Sequence, residues 1–246
     1  MRVLGVIPAR YQSTRLPGKP LLSIAGKPMI QWVYERAQTA SLLDEVLIAT
    51  DDQRIFDAVK NFGGVAEMTA ATHPTGTDRL AEVARRHEAD LIINIQGDEP
   101  LIRGAVIDSI VRPLLEDTEL PMSTAKVRLT EPAQIEEPSV VKVVTDETGY
   151  ALYFSRSPIP YPRKPETAQY WKHVGLYGYR RDFLLKYVQL PQTTIELTES
   201  LEQLRVLSYG YRIKVVEVAQ DSVGVDTPAD LERVRAILEN KSFHYN

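Results

Sequence analysis

The residues of this chain that could do chemistry begin with a basic run near its start. Arg10, Arg15 and Lys19 fall within ten residues, in Ala9-Arg10-Tyr11-Gln12-Ser13-Thr14-Arg15-Leu16-Pro17-Gly18-Lys19-Pro20. Residues 1–34 contain no Asp or Glu and carry Arg2, Arg10, Arg15, Lys19 and Lys27, a local charge of +5 in a chain of formal net charge −4. A solvated surface loop is the plain reading of such a run; a polyanion site is the sharper one. Arg brings forked hydrogen bonds and Lys a mobile point charge, and with Ser, Thr and Gly between them they can wrap a polyphosphate. The chemistry would be nucleotidyl transfer, in which a nucleophile attacks the α-phosphorus and pyrophosphate leaves. Lys and Arg then stabilise charge on the leaving group. Such a reaction calls for a divalent metal. Asp98 and Asp226 offer hard oxygen ligands suited to Mg²⁺. Each alone also reads as a turn residue or a helix-cap neighbour. The chain has no cysteine and only four histidines, so no His/Cys cluster suggests zinc.

Those residues need elements to position them. Residues 2–8 form an apolar run of buried-strand length, and 10–20 form a loop broken by Pro17 and Gly18. Ile30, Val33, Tyr34 and Ala37 recur at helical spacing after Pro28. Strands are expected at 45–50, 65–68 and 91–96, with helices around 55–62, 78–87 and 106–114. The first ~120 residues thus read βαβαβαβα, a doubly wound, mostly parallel sheet with helices on both faces. Ligands bind such sheets beyond the carboxyl ends of the strands. The basic loop and the Asp98 turn both leave those ends. Further on, 140–144 and 150–154 flank Asp146-Glu147-Thr148-Gly149 as a β-hairpin. A strand over 173–179, helices around 182–188 and 200–207, a strand over 212–219 and a helix opened by Thr227-Pro228 complete the reading. One α/β domain over 1–246 is expected, with residues about 120–220 as a smaller inserted β-rich lobe.

Composition sets bounds. The chain has 246 residues, 43% hydrophobic and 25% charged, as in soluble globular proteins. No apolar run approaches the ~20 residues that span a bilayer. Met1 and Arg2 lead straight into a strand rather than a signal peptide, so a cytoplasmic protein is expected, with no membrane partner. Mild acidity argues against a nucleic-acid partner. Gly18-Lys19 and Gly26-Lys27 are each followed by proline, and no Gly-x-Gly-x-x-Gly follows the first strand. That speaks against a P-loop NTPase and a dinucleotide oxidoreductase.

Six ordered motifs carry a resemblance. They are Ile7-Pro8-Ala9-Arg10 through Lys19-Pro20, His73-Pro74-Thr75-Gly76-Thr77-Asp78-Arg79, and Asn94-Ile95-Gln96-Gly97-Asp98-Glu99-Pro100. Then come Lys172-His173-Val174-Gly175-Leu176-Tyr177-Gly178-Tyr179-Arg180, Glu199-Ser200-Leu201-Glu202-Gln203-Leu204-Arg205 and Val225-Asp226-Thr227-Pro228-Ala229-Asp230-Leu231. The chain resembles the 3-deoxy-D-manno-octulosonate (Kdo) cytidylyltransferase family, also called CMP-Kdo synthetases, over about residues 2 to 240. The resemblance implies a nucleotidyltransferase-like Rossmann-type fold and transfer of CMP from CTP to Kdo for lipopolysaccharide biosynthesis. It implies that Arg10, Arg15 and Lys19 hold the CTP phosphates, that Arg79 and Gln96 face the cytidine, and that Asp98 and Asp226 bind Mg²⁺. Lys19, Asp98 and Asp226 are then the catalytic set. It implies sugar-acid contacts at Arg156, His173, Tyr177, Glu202 and Gln203, and a homodimer joined through the middle lobe.

The implied mechanism is in-line attack of the anomeric C2 hydroxyl of Kdo on the α-phosphorus. No strong general base stands out, so metal activation is the expected route, with a second Mg²⁺ as an option. A sialic-acid-type cytidylyltransferase is the nearest alternative, but its opening loop typically reads Ser-Lys-Gly-Ile-Pro where this chain has Ser13-Thr14-Arg15-Leu16-Pro17. An amino-substituted Kdo as substrate stays open, as does a non-catalytic nucleotide-binding module on the same fold.

Overall fold

The computed structural model describes residues 1–12 and 16–239. The chain forms two compact units, Met1–Asp108 with Ser222–Asn246, and Ser109–Asp221. The second unit is therefore an insertion in the first, and it covers the expected lobe.

The first unit opens with β1 (Val3–Ala9), the hairpin β2 (Ser23–Ile24) and β3 (Lys27–Pro28), and α1 (Met29–Ala37). It continues with β4 (Glu45–Thr50), α2 (Gln53–Asn61), β5 (Ala66–Met68), α3 (Gly76–Arg86), β6 (Leu91–Asn94) and α4 (Gly104–Glu116), within which the chain passes to the second unit. Strands β6, β1, β4 and β5 lie side by side in that order, all parallel. Val6 registers with Leu47 on one side and Asn94 on the other. A strand with parallel neighbours on both sides and helices on both faces must be apolar throughout, and β1 is buried along nearly all of its length. Connections leave β1 toward β4 first and return to its other edge at β6. The strand order therefore reverses at β1, the position where such sheets bind ligands.

The second unit contains β7 (Met122–Leu129), α5 (Pro132–Glu136), β8 (Lys142–Thr145), β9 (Ala151–Ser155) and β10 (Tyr170–Arg180). Then follow α6 (Arg181–Tyr187), α7 (Thr194–Glu199), α8 (Gln203–Ser208) and β11 (Ile213–Glu217). Its strands run β11-β7-β10-β8-β9, antiparallel except for β11 beside β7. The hairpin expected around Asp146 is β8 and β9. The helix expected around 200–207 is found as α8, starting at Gln203, and a separate helix, α7, precedes it. Thr193 and Glu196 form a capping box that starts α7, Ser200 ends it at φ 51°, and α8 starts afresh at Gln203. The last helix, α9 (Pro228–Glu239), returns to the first unit. Val225, Leu231 and Val234 pack there with Leu16, Ile24, Met29 and Leu101. This cluster ties the end of the basic loop to the start of α9. No helix among the described residues is long and apolar enough to cross a membrane.

Candidate active site

The basic loop is pinned at both ends. Arg10 donates from Nη2 to His73 O at 2.6 Å and from Nη1 to Pro74 O at 3.2 Å. The Tyr11 ring lies under the Arg54 guanidinium, 3.3 Å from its centroid. Arg54 is in turn forked onto Asp52, the N-cap of α2. At the far end Gly18 takes a left-handed φ of 67°, and a Cβ there would come within 3.1 Å of the Tyr11 ring. Glycine answers both demands. Gly18 N donates to Tyr11 O at 3.1 Å and Lys19 N to Leu16 O at 3.0 Å, which closes the loop on itself. Arg15 lies outside the described residues.

Closure sets Lys19 against both aspartates. Its Nζ is 2.7 Å from Asp98 Oδ2 and 3.1 Å from Asp226 Oδ1. The two carboxylates, distant in sequence, thus meet on one cation. Against the burial that would lower it, their charge holds the Lys19 ammonium above its ordinary range. The backbone fixes the pair as well, since Val225 N donates to Asp98 O at 2.9 Å. Gly97 allows the approach from the sheet side: a Cβ there would sit 2.8 Å from Pro8 O. Thr227 and Asp230 cap α9 reciprocally, and Asp230 Oδ2 also accepts from Asp226 N at 3.2 Å. Asp226 is therefore a helix-cap neighbour and a partner of Lys19 at once.

The donor set fits Mg²⁺. Two convergent carboxylates are what this ion takes from protein, with phosphates and water completing its shell. No group of three or more His, Cys, Asp or Glu among the described residues forms a metal cage. A metal here would need ligands from a polyphosphate.

Arg79 and Gln96 occupy the same carboxyl rim in different ways. Gln96 is partly exposed in the turn after β6, its carbonyl accepting from Glu99 N at 3.3 Å. Arg79 is 0% exposed. Its Nη1 donates to Thr69 Oγ1 and its Nη2 lies 3.0 Å from Asp51 Oδ2, beyond the ends of β5 and β4. Its Nε is buried without a hydrogen-bond partner among the described residues.

The sugar-acid candidates all lie in the second unit. A β-bulge brings His173 and Tyr177 together. Between Val174 and Tyr177 the register slips, so that His173 opposes Lys126 and Tyr177 opposes Thr124. Residues four apart on β10 then face residues two apart on β7, and their rings sit 5.4 Å apart. The His173 edge also meets Phe154 at 4.9 Å. Burial, helped by the Lys172 charge, pushes the His173 imidazole down to about 3. Burial and the Glu202 carboxylate push the Tyr177 phenol up. Glu202 is the N-cap of α8 and Gln203, 4% exposed, its first residue. Tyr187 Oη donates to Glu202 O at 2.7 Å. Arg156 is held by backbone carbonyls: Nε on Glu199 O at 2.7 Å, Nη1 on Pro138 O at 3.1 Å, Nη2 on Ser200 O at 3.3 Å. Three of its five N–H groups are engaged in this way, so any anion must be met by the rest.

Several supporting residues carry no local signal in the sequence. Glu199 accepts from Ser155 Oγ and Arg156 N at 2.6 and 2.9 Å. Lys142 is 0% exposed and donates to Arg156 O at 2.5 Å and Glu137 O at 3.0 Å. Glu82 holds His73 and Ala70 N, fixing the loop whose carbonyls receive Arg10. Of these, only Glu199 and His73 lie inside a motif quoted above.

A family model described as cytidylyltransferase matches residues 4–214. A 3-deoxy-manno-octulosonate cytidylyltransferase of Geotalea uraniireducens is 57% identical over 245 residues, covering 95% of this chain and 98% of the relative. Its counterpart from Fusobacterium nucleatum is 53% identical over 235 residues, covering 95% and 96%. The solved structure of a CMP:2-keto-3-deoxy-manno-octonic acid synthetase complexed with CTP superposes at a TM-score of 0.95 with 53% identity, covering 98% of this chain and 100% of that one. A Leptospira borgpetersenii cytidylyltransferase, 18% identical at a TM-score of 0.65, shares the fold, covering 100% of this chain and 89% of its own. The mostly parallel α/β nucleotidyltransferase fold, the ordered motifs and these relatives converge, and the chain belongs to the 3-deoxy-manno-octulosonate cytidylyltransferase family.

Proposed function

We propose that the chain transfers CMP from CTP to the anomeric C2 hydroxyl of Kdo. The sugar oxygen forms a bond to the α-phosphorus, the bond from that phosphorus to the β-phosphate bridging oxygen breaks, and pyrophosphate leaves. The hydroxyl proton goes to solvent. The observation that carries the reading is Lys19 held between Asp98 and Asp226 at the end of a basic loop. A pure binding module has little use for two carboxylates beside a phosphate cradle. The CTP named with the solved relative supports the nucleotide, and the relatives' names support the sugar acid.

Arg10, Arg15 and Lys19 bind the triphosphate in this reading, with Lys19 passing from the aspartates to the phosphates as they arrive. Asp98 and Asp226 hold Mg²⁺, which supplies charge neutralisation and Lewis acidity at the phosphates. Arg79 and Gln96 contact the cytidine, and the buried Arg79 Nε is a donor in want of an acceptor. In the second unit Arg156 meets the sugar carboxylate through its remaining N–H groups, and His173, Tyr177, Glu202 and Gln203 meet its hydroxyls. With His173 kept neutral by a pKa of about 3 and the Tyr177 phenol pushed up, both orient hydroxyls rather than move protons. The reading extends to a cytoplasmic homodimer that serves lipopolysaccharide assembly, with residues about 120–220 as its sugar-binding and dimerisation lobe. Exposed Leu152 on β9, which pairs with β8, supports a contact between copies there.

The test is product identification. Incubation with CTP labelled at the α-phosphate, Kdo and Mg²⁺ is expected to place the label on the sugar acid, with UTP, ATP and GTP far poorer donors. Label transfer to another 2-keto acid but not to Kdo would change the substrate. Tight CTP binding without transfer to any acid would overturn the enzymatic reading.

A further inference from the structure

Thr124, 0% exposed on β7, places its hydroxyl against three groups. Leu176 O lies at 2.8 Å, Val174 O at 3.1 Å and His173 Nε2 at 3.0 Å. A hydroxyl has one proton and two lone pairs, whereas a carbonyl can only accept. The β7–β10 register shifts between Val174 and Tyr177, and the Thr124 proton goes to the carbonyls there, Leu176 being nearer. A lone pair is then what faces His173, and only an N–H can meet it. The imidazole is neutral, since burial pushes it down to about 3, and a neutral ring has one N–H. That N–H is on Nε2, and Nδ1 keeps its lone pair. Phe154 and Tyr177 fix the plane of the ring, so the tautomer is the freedom left for Thr124 to set.

We infer that Thr124 is a positioning residue, fixing His173 as the Nε2–H tautomer so that Nδ1 accepts a hydrogen bond from a hydroxyl of the sugar acid. The inference rests on the proposed function for the sugar contact, but the tautomer stands on the Thr124 hydrogen bonds and the burial of the ring. The opposite tautomer, or a charged ring, would donate instead and would suit a carboxylate. Thr124 thereby makes this position read a hydroxyl donor.

Long-range ¹H–¹⁵N correlation spectra of the full chain, labelled at its imidazole nitrogens, read the tautomer directly. The wild-type protein is expected to carry the His173 proton on Nε2. Thr124→Val is expected to lose that preference and to raise KM for Kdo about tenfold, as for one lost hydrogen bond. kcat and KM for CTP should change little. Thr124→Ser, which keeps the hydroxyl, should restore both the spectrum and KM. A wild-type proton on Nδ1 would overturn the inference whatever the activity. So would a folded Thr124→Val variant with normal KM and an unchanged spectrum. A chain inactive on Kdo whose Nε2 proton is nonetheless lost in Thr124→Val would uphold the tautomer assignment and overturn the substrate reading instead.

Discussion

Lys19 sits between two aspartates and offsets their mutual repulsion at the mouth of the sheet. The arrangement adds little to stability. The side chains of Asp98 and Asp226 are 32% and 52% exposed, and exposed pairs contribute at most about 1 kcal/mol. Asp98→Asn is therefore expected to leave the unfolding midpoint nearly unchanged while lowering kcat by about 10²–10³-fold, the scale of losing one electrostatic element of a site. Arg79 behaves in the opposite way. It is fully buried on Asp51 and Thr69, so Arg79→Met strands a carboxylate and should cost about 3–5 kcal/mol in urea unfolding. His173 gives a pH signature. Its pKa is depressed to about 3 by burial, while in the unfolded chain it is about 6.5. Its contribution is then intact above pH 6.5 and lost as pH falls from there toward 3, with a slope of up to ~1.4 kcal/mol per unit. Stability compared at pH 7.5 and 4.5 should fall further in the wild-type chain than in His173→Gln; equal falls would contradict the burial argument.

At the scale of elements, two turns do the positioning, and each hinges on a glycine. A methyl on Gly97 would meet the backbone oxygen of Pro8 at 2.8 Å, so the Asp98 turn would have to move. Gly97→Ala is expected to reduce turnover more than tenfold while costing only about 1–3 kcal/mol of stability, measured by parallel kinetics and thermal melts. The first unit was legible because its strands and helices keep their own periods. The 45–50 strand is found as Glu45–Thr50, and the helix opened by Thr227-Pro228 as Pro228–Glu239. The second unit was less so. β7 mixes Ser123, Thr124, Lys126 and Arg128 into a strand that is buried mainly by its neighbours, and nothing local announces it. α7 is six residues long and depends on one capping box. The β10 bulge exists only in the pairing with β7. The site followed the same rule. Lys19, Asp98 and Asp226 were readable from residue type, and their meeting is seen in the structure. The burial of Arg79, the carbonyl cradle around Arg156 and the Thr124 contact to His173 depend on residues 10 to 49 positions away in sequence, which no motif encodes.

At the scale of the whole molecule, the chain is an α/β unit interrupted by an antiparallel unit and then completed by α9. The nucleotide candidates lie in the first and the sugar-acid candidates in the second. This division makes the two halves of the proposed reaction separable by mutation. Variants at Arg10 or Lys19 should raise KM for CTP, and variants at Arg156 or Gln203 should raise KM for Kdo. Sedimentation at micromolar concentration should give twice the chain mass, with Leu152→Glu shifting it toward one. The central claim is CMP transfer driven by the Lys19, Asp98 and Asp226 cluster. Its most direct test is pyrophosphate release from CTP, with and without Kdo, in wild-type and Asp98→Asn proteins side by side. The expected result is release that requires Kdo and Mg²⁺ and falls at least about 10²-fold in the variant. Wild-type silence with Kdo, or equal rates in the two proteins, would contradict the account.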